Sequence, residues 1–209
     1  MTIETPSTTD TETLELARRS GWPEDLRVLL ARFPREQWQG HANLGEMARF
    51  WLSRHAMFRE LSAMIGDITA QVRAGAMPAA DFPRQLVPRL QFLLAQLSVH
   101  HQIEDLHYFP IFRAADARLA RGFDVLERDH HAIHADMAAT AETANALLRA
   151  LSASVAAITD ALGRCGDDYA QASGGLIKGL IRHLDDEEDL IVPLILERGE
   201  AALGVAHHG

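Results

Sequence analysis

The chain has a single cysteine, Cys165, among 209 residues. No intrachain disulfide can form, and zinc or iron–sulfur sites built on several thiolates are excluded. Strand signals are missing as well: no run of β-branched residues alternates with polar ones at period two. There is no basic cluster, and 29 acidic residues outnumber 20 basic ones for a net charge of -9. That balance argues against a nucleic-acid or anionic-membrane partner. The most apolar run, Leu190 to Leu196, is too short to span a bilayer and contains Pro193. The N-terminus, MTIETPSTTDTETLE, has no basic stretch followed by an apolar one, so the expectation is a cytoplasmic protein.

What is present is helix periodicity. Leu44, Met47, Trp51, His55, Phe58, Ser62 and Ile65 recur every three or four residues within about 43–74. Leu86, Leu90, Leu93, Leu97, His100, Glu104 and His107 do so within about 83–114, and Phe123, Leu126, His130, His134 and Met137 within about 116–150. Leu176, Leu180, His183, Glu187 and Leu190 mark a fourth segment, about 168–198; SASVAAITDALGRCG before it reads as an extension of the third segment or a short separate helix. The expected fold is all-α: an antiparallel up-down four-helix bundle over 43–198, with an N-terminal helical extension (1–42) and a tail (199–209). Residues 1–10 read as disordered, and Trp22, Leu26, Leu29, Leu30 and Phe33 suit either packing over a bundle end or a homodimer contact.

Each of these segments carries histidine on its apolar face. They are His55, His100 with Glu104, His130 with His134, and His183 with Glu187. The last three are i, i+4 pairs, whose members point from one face about 6 Å apart along the axis. Among eleven histidines, one such spacing arises by chance. Four groups on four core-facing segments are another matter, because that many buried ionisable groups require a compensating cation. Imidazole plus carboxylate suits iron or another borderline divalent metal. Two carboxylates able to bridge can hold two ions about 3.5–4 Å apart. Two six-coordinate ions sharing both carboxylates and one solvent bridge need six terminal ligands. Five imidazoles leave one position for a small molecule such as dioxygen. HHQIEDLHYFPIF (100–112) also aligns without gaps on HLDDEEDLIVPLI (183–195), pairing His100 with His183, Glu104 with Glu187 and Pro110 with Pro193. Each proline could bend its helix beyond the site.

FWLSRHAMFREL, HHQIEDLHYFP, LERDHHAIHADM and HLDDEEDLIVP together resemble the hemerythrin-like (HHE cation-binding) family, in its motif order, across about 43–198. The resemblance implies metal ligands at His55, His100, Glu104, His130, His134, His183 and Glu187. It further implies two non-haem iron ions with an oxo or hydroxo bridge, and binding of dioxygen, or of NO or peroxide, in sensing, storage or scavenging. Where oxygen carriers of the family place an aspartate five residues after the last histidine, this chain has Glu188; helix geometry and the internal alignment favour Glu187. His101 and His131 are expected to point away from the metals. His107, three residues after Glu104, is expected to approach the open position as a proton donor or extra ligand. Asp185, Asp186, Glu188 and Asp189 read as a solvated face, Trp51 as core packing, and Cys165 as an inert loop residue. The alternatives are a di-iron enzyme of peroxide-decomposing or ferroxidase type, a protein for iron storage or iron–sulfur repair, and a metal-free interaction bundle. Ferritin-like sites use Glu-x-x-His on two helices. Glu104-x2-His107 and Glu127-x2-His130 fit that spacing, but the fourth segment has no such pair.

Overall fold

The computed structural model describes residues 14–206 apart from 154–156. The expected disorder of residues 1–10 and the His207–His208 tail lie outside the described residues. The protein is an all-α helical bundle with no strand among the described residues. Its helices are α1 (Val28–Arg32), α2 (Glu46–Arg73), α3 (Phe82–Ile103), α4 (Phe109–Ala115), α5 (Ala120–Ala153), α6 (Ala157–Arg198) and α7 (Glu200–Leu203). A π-helical turn, Glu104–Tyr108, joins α3 to α4. Residues 157–167, expected as part of an extension, a short separate helix or a loop, form the first part of the 42-residue α6, which carries Cys165.

The chain divides into two compact units. One comprises residues 54–102 and 132–180. There α2 ends at Gly75, whose φ of 69° only glycine adopts without strain. Ala76 N–H bonds the Gln71 carbonyl at 2.9 Å and Gly75 N–H bonds that of Val72 at 3.2 Å. This paired closure satisfies the helix's last carbonyls and turns the chain toward α3. Leucines 86, 90, 93 and 97 of α3 are buried. So are Phe58, Ile65 and Val72 of α2, Ile133 and Leu147 of α5, and Tyr169, Leu176 and Leu180 of α6. The α3 set repeats at three- and four-residue steps and the others at four or at multiples of seven, the spacings that keep one helix face on a core.

The other unit comprises the chain up to Ser53, Ile103–His131 and the chain from Ile181 onward. Residues 190–196 of α6 are buried all round, as a helix apolar on every face must be. The N-terminal segment is part of this core: Trp22, Leu26, Leu29, Trp38 and Leu44 join Trp51, Phe109, Phe112, Phe123 and the 190–196 run in one cluster. The tail belongs to it too, through Leu203 and Val205. Glu200 Oε1 accepts the Ala48 backbone N–H at 2.9 Å, capping the first turn of α2 with a negative charge.

Candidate metal centre

In the unit that contains the N-terminal segment, two fully buried carboxylates, Glu104 of the π turn and Glu187 of α6, present oxygens within 4.8 Å of each other. Beside them stand His130 of α5 and His183 of α6. The two Nε2 atoms are 3.2 Å apart. His183 Nε2 is 3.2 Å from Glu187 Oε2, and His130 Nε2 is 3.5 Å from Glu104 Oε2. Donor atoms about 2.1 Å from one ion and at right angles around it lie about 3 Å from each other. The observed separations are those of adjacent ligands on a common cation. Burial first, and then the neighbouring Glu187 charge, push the Glu104 carboxyl well above its ordinary range. Two buried carboxylates in this position need a proton or a cation between them, and with flanking imidazoles the donor set fits a cation.

The groups behind these side chains fix their orientation. His130 Nδ1 lies 2.8 Å from Asp105 Oδ1, and the Phe109 ring stacks on the imidazole at 5.3 Å. Burial pushes His130 below its usual value despite the Asp105 hydrogen bond. His183 Nδ1 faces Asp129 Oδ2 at 3.5 Å, which directs Nε2 toward Glu187. Burial opposes charge on His183, but hydrogen bonds to Asp129 and Glu187 outweigh it and raise the pKa to about 9. The Trp51 indole N–H donates to Glu187 Oε1 at 2.5 Å. Trp51 is thus a polar partner of the site and not only core packing.

In the unit formed by residues 54–102 and 132–180, His55 of α2 is fully buried and meets His100 of α3 edge to face, with ring centroids 5.2 Å apart and ligand nitrogens within 4.8 Å. Phe58 lies against His100 at 5.0 Å. His101, next in α3, is also fully buried, and its Nδ1 is 3.3 Å from His134 Nε2.

The profile of the hemerythrin HHE cation-binding domain matches residues 46–195. The chain belongs to this family. No curated protein and no solved structure matches it. The family is defined by cation binding, and the histidine–glutamate grouping of this hemerythrin-like chain agrees with it.

Of the seven residues expected from the sequence as ligands, Glu104, His130, His183 and Glu187 are brought together in one unit and His55 and His100 in the other. His134 is exposed and stands against the buried His101. His107 is exposed rather than directed toward the site. The π turn accounts for it. In an α-helix a residue three positions on lies about 60° from the Glu104 direction, and the wider turn swings it further away. His101 is signalled by the leucine stripe, since four residues past Leu97 lies His101 and three more give Glu104.

The acidic run is not a solvated face in this hemerythrin-like chain. Asp186 is fully buried and bonded by Arg19 (2.7 Å) and Arg182 (2.9 Å). Arg35 binds both Glu188 (2.9 Å) and Asp189 (2.7 Å). Glu188 therefore has its own partner, and Glu187 is the carboxylate at the site.

Proposed function

We propose that this chain is a non-haem di-iron protein that binds dioxygen, or a related molecule such as NO or peroxide, at an open iron position, for sensing, storage or scavenging in the cytoplasm. The observation that carries the reading is the buried Glu104–Glu187 pair, with imidazole nitrogens of His130 and His183 at 3.2–3.5 Å. We assign Glu104, His130, His183 and Glu187 as ligands on this geometry, and the imidazoles of His55, His100 and His101 as the remaining ones. Both carboxylates would suit a bridging role between two ions, and five imidazoles would leave one of six terminal positions for the small molecule.

Iron bound here supplies the redox-active binding position. The chain's part is to orient the imidazoles through Asp105, Asp129 and His134 and to exclude water with Trp51, Phe58 and Phe109. A ferroxidase of ferritin type is disfavoured, because both Glu-x-x-His pairs are broken. His107 is exposed, and the exposed Glu127 is paired with Arg113 at 3.1 Å. A homodimer belongs to the same reading: Phe92, Val99 and Ile103 lie exposed at seven- and four-residue steps of α3. No helix among the described residues is long and apolar enough to cross a membrane.

The test is anaerobic loading with ferrous iron, metal analysis, and visible spectra under oxygen and after its removal. Two irons per chain with an oxygen-dependent band that disappears on deoxygenation are expected. Failure to take up iron would overturn the metal assignment. Irreversible oxidation with turnover of peroxide would move the protein to the enzyme class.

A further inference from the structure

Arg19 lies outside the segment matched by the family, yet its side chain is 1% exposed and sits between two carboxylates. Its Nε donates to Asp186 Oδ2 at 2.7 Å, and both terminal nitrogens bind Asp129, Nη1 to Oδ1 at 3.3 Å and Nη2 to Oδ2. Nη1 also donates to the Leu14 carbonyl at 2.6 Å. The guanidinium lies 5.0 Å from the centre of the Trp22 ring, whose N–H bonds the Asp186 carbonyl at 2.6 Å. Asp186 has a second cation, Arg182, whereas Asp129 is held by Arg19 and faces His183 Nδ1 at 3.5 Å.

A segment needing only an apolar anchor has one in Trp22, Leu26 and Leu29. Burying a guanidinium costs several kcal/mol unless its geometry and hydrogen bonds are nearly complete. Here four of the five guanidinium N–H donors are bonded, and the chain Arg19–Asp129–His183 ends on a candidate ligand. We propose that Arg19 is a positioning residue for the metal centre, acting through Asp129 on His183. The N-terminal segment thereby sets the metal affinity and reduction potential of the site. The inference rests on the di-iron reading. Arg19 aims the Asp129 carboxylate at Nδ1–H and shares its charge. Without that positive charge, Asp129 acts undiluted on the imidazole and makes it a stronger donor, which favours the ferric state. Without the anchor, the ligand loses its fixed orientation, and such outer contacts typically govern metal affinity 10–100-fold.

The experiment compares iron dissociation constants, midpoint potentials and far-ultraviolet circular dichroism of the wild type, Arg19→Met, Arg19→Lys, Asp129→Asn and the core variant Leu29→Ala. Arg19→Met is expected to weaken iron binding about 10–100-fold and to lower the potential. Arg19→Lys should restore the potential, and Leu29→Ala should leave it at the wild-type value despite lower stability. A folded Arg19→Met protein with unchanged affinity and potential would overturn the proposal. If that variant does not fold, Asp129→Asn decides: iron binding weakened over the same range supports the proposal, and unchanged binding overturns it. A wild type that takes up no iron would overturn the di-iron reading itself, a result separable from the others.

Discussion

His183 and Glu104 link protonation to stability in the same direction. The His183 pKa is raised from 6.5 to about 9 by Asp129 and Glu187 against the burial that would lower it. Its folded form therefore keeps a proton that the unfolded chain releases. The resulting stability is fully present below about pH 6.5 and is lost as pH rises through about 9. Glu104, raised well above the ordinary carboxyl range by burial and Glu187, also binds a proton more tightly when folded. Its contribution likewise turns unfavourable as pH climbs from that ordinary range. The metal-free chain should thus melt at higher temperature near pH 5.5 than near pH 9, a difference that calorimetry in the presence of a chelator would measure. A flat or rising profile would contradict both assignments. Replacing His107 by Leu should leave iron content, spectrum and peroxide reactivity unchanged, since His107 is exposed. His101→Ala should reduce iron uptake. The sequence announces His55, His100, Glu104, His130, His183 and Glu187 as candidates because each recurs on a core-facing stripe. It does not announce Arg19, whose partners lie 110 and 167 residues away.

At the scale of elements, helix identity was readable from apolar periodicity, and the expected second segment, 83–114, covers α3, the π turn and α4. The turn itself was not readable. Pro110 signals a disturbed hydrogen-bond ladder, since an α-helix would need its missing N–H to bond the Leu106 carbonyl. Pro193 occupies the matching position in the internal repeat, yet α6 runs through it. Proline alone therefore does not tell a wide turn from a continuous helix. What distinguishes Glu104–Tyr108 is the extra residue accommodated when Phe109 N–H bonds the Glu104 carbonyl five positions back. Deleting Leu106, which is 63% exposed, removes a residue without removing core packing. The turn should tighten to α geometry, with Phe109 N–H bonding the Glu104 carbonyl four positions back, so that α3 and α4 keep their register and Phe109 stays beside His130. What changes is the turn itself, whose residue Asp105 holds His130 Nδ1 at 2.8 Å. The expected outcome is retained helical circular dichroism with weakened iron binding. Wild-type iron affinity in the deletion variant would show that the wide turn has no part in building the site.

At the scale of the whole molecule, the proposed cation site links binding to folding, because its residues lie far apart in the chain. Glu104, His130, His183 and Glu187 cannot come together in an unfolded chain, so iron held by them would bind the folded state almost exclusively. At free iron 100 times the dissociation constant, that linkage adds about 2.7 kcal/mol, and a chain of roughly this size gains about 2–4 °C in melting temperature per kcal/mol. Ferrous iron should therefore raise the midpoint by about 5–10 °C under anaerobic conditions, with chelator reversing the shift. The pH profile should reverse with it. Each imidazole and carboxylate must shed its proton to bind metal, so loading withdraws the protons that His183 and Glu104 hold in the metal-free fold. Stability of the loaded chain should then rise between pH 5.5 and 8, where that of the metal-free chain falls. Opposite slopes measured on one preparation, before and after loading, tie the titrating groups to the metal-binding groups. Parallel slopes would place the cation elsewhere in the molecule.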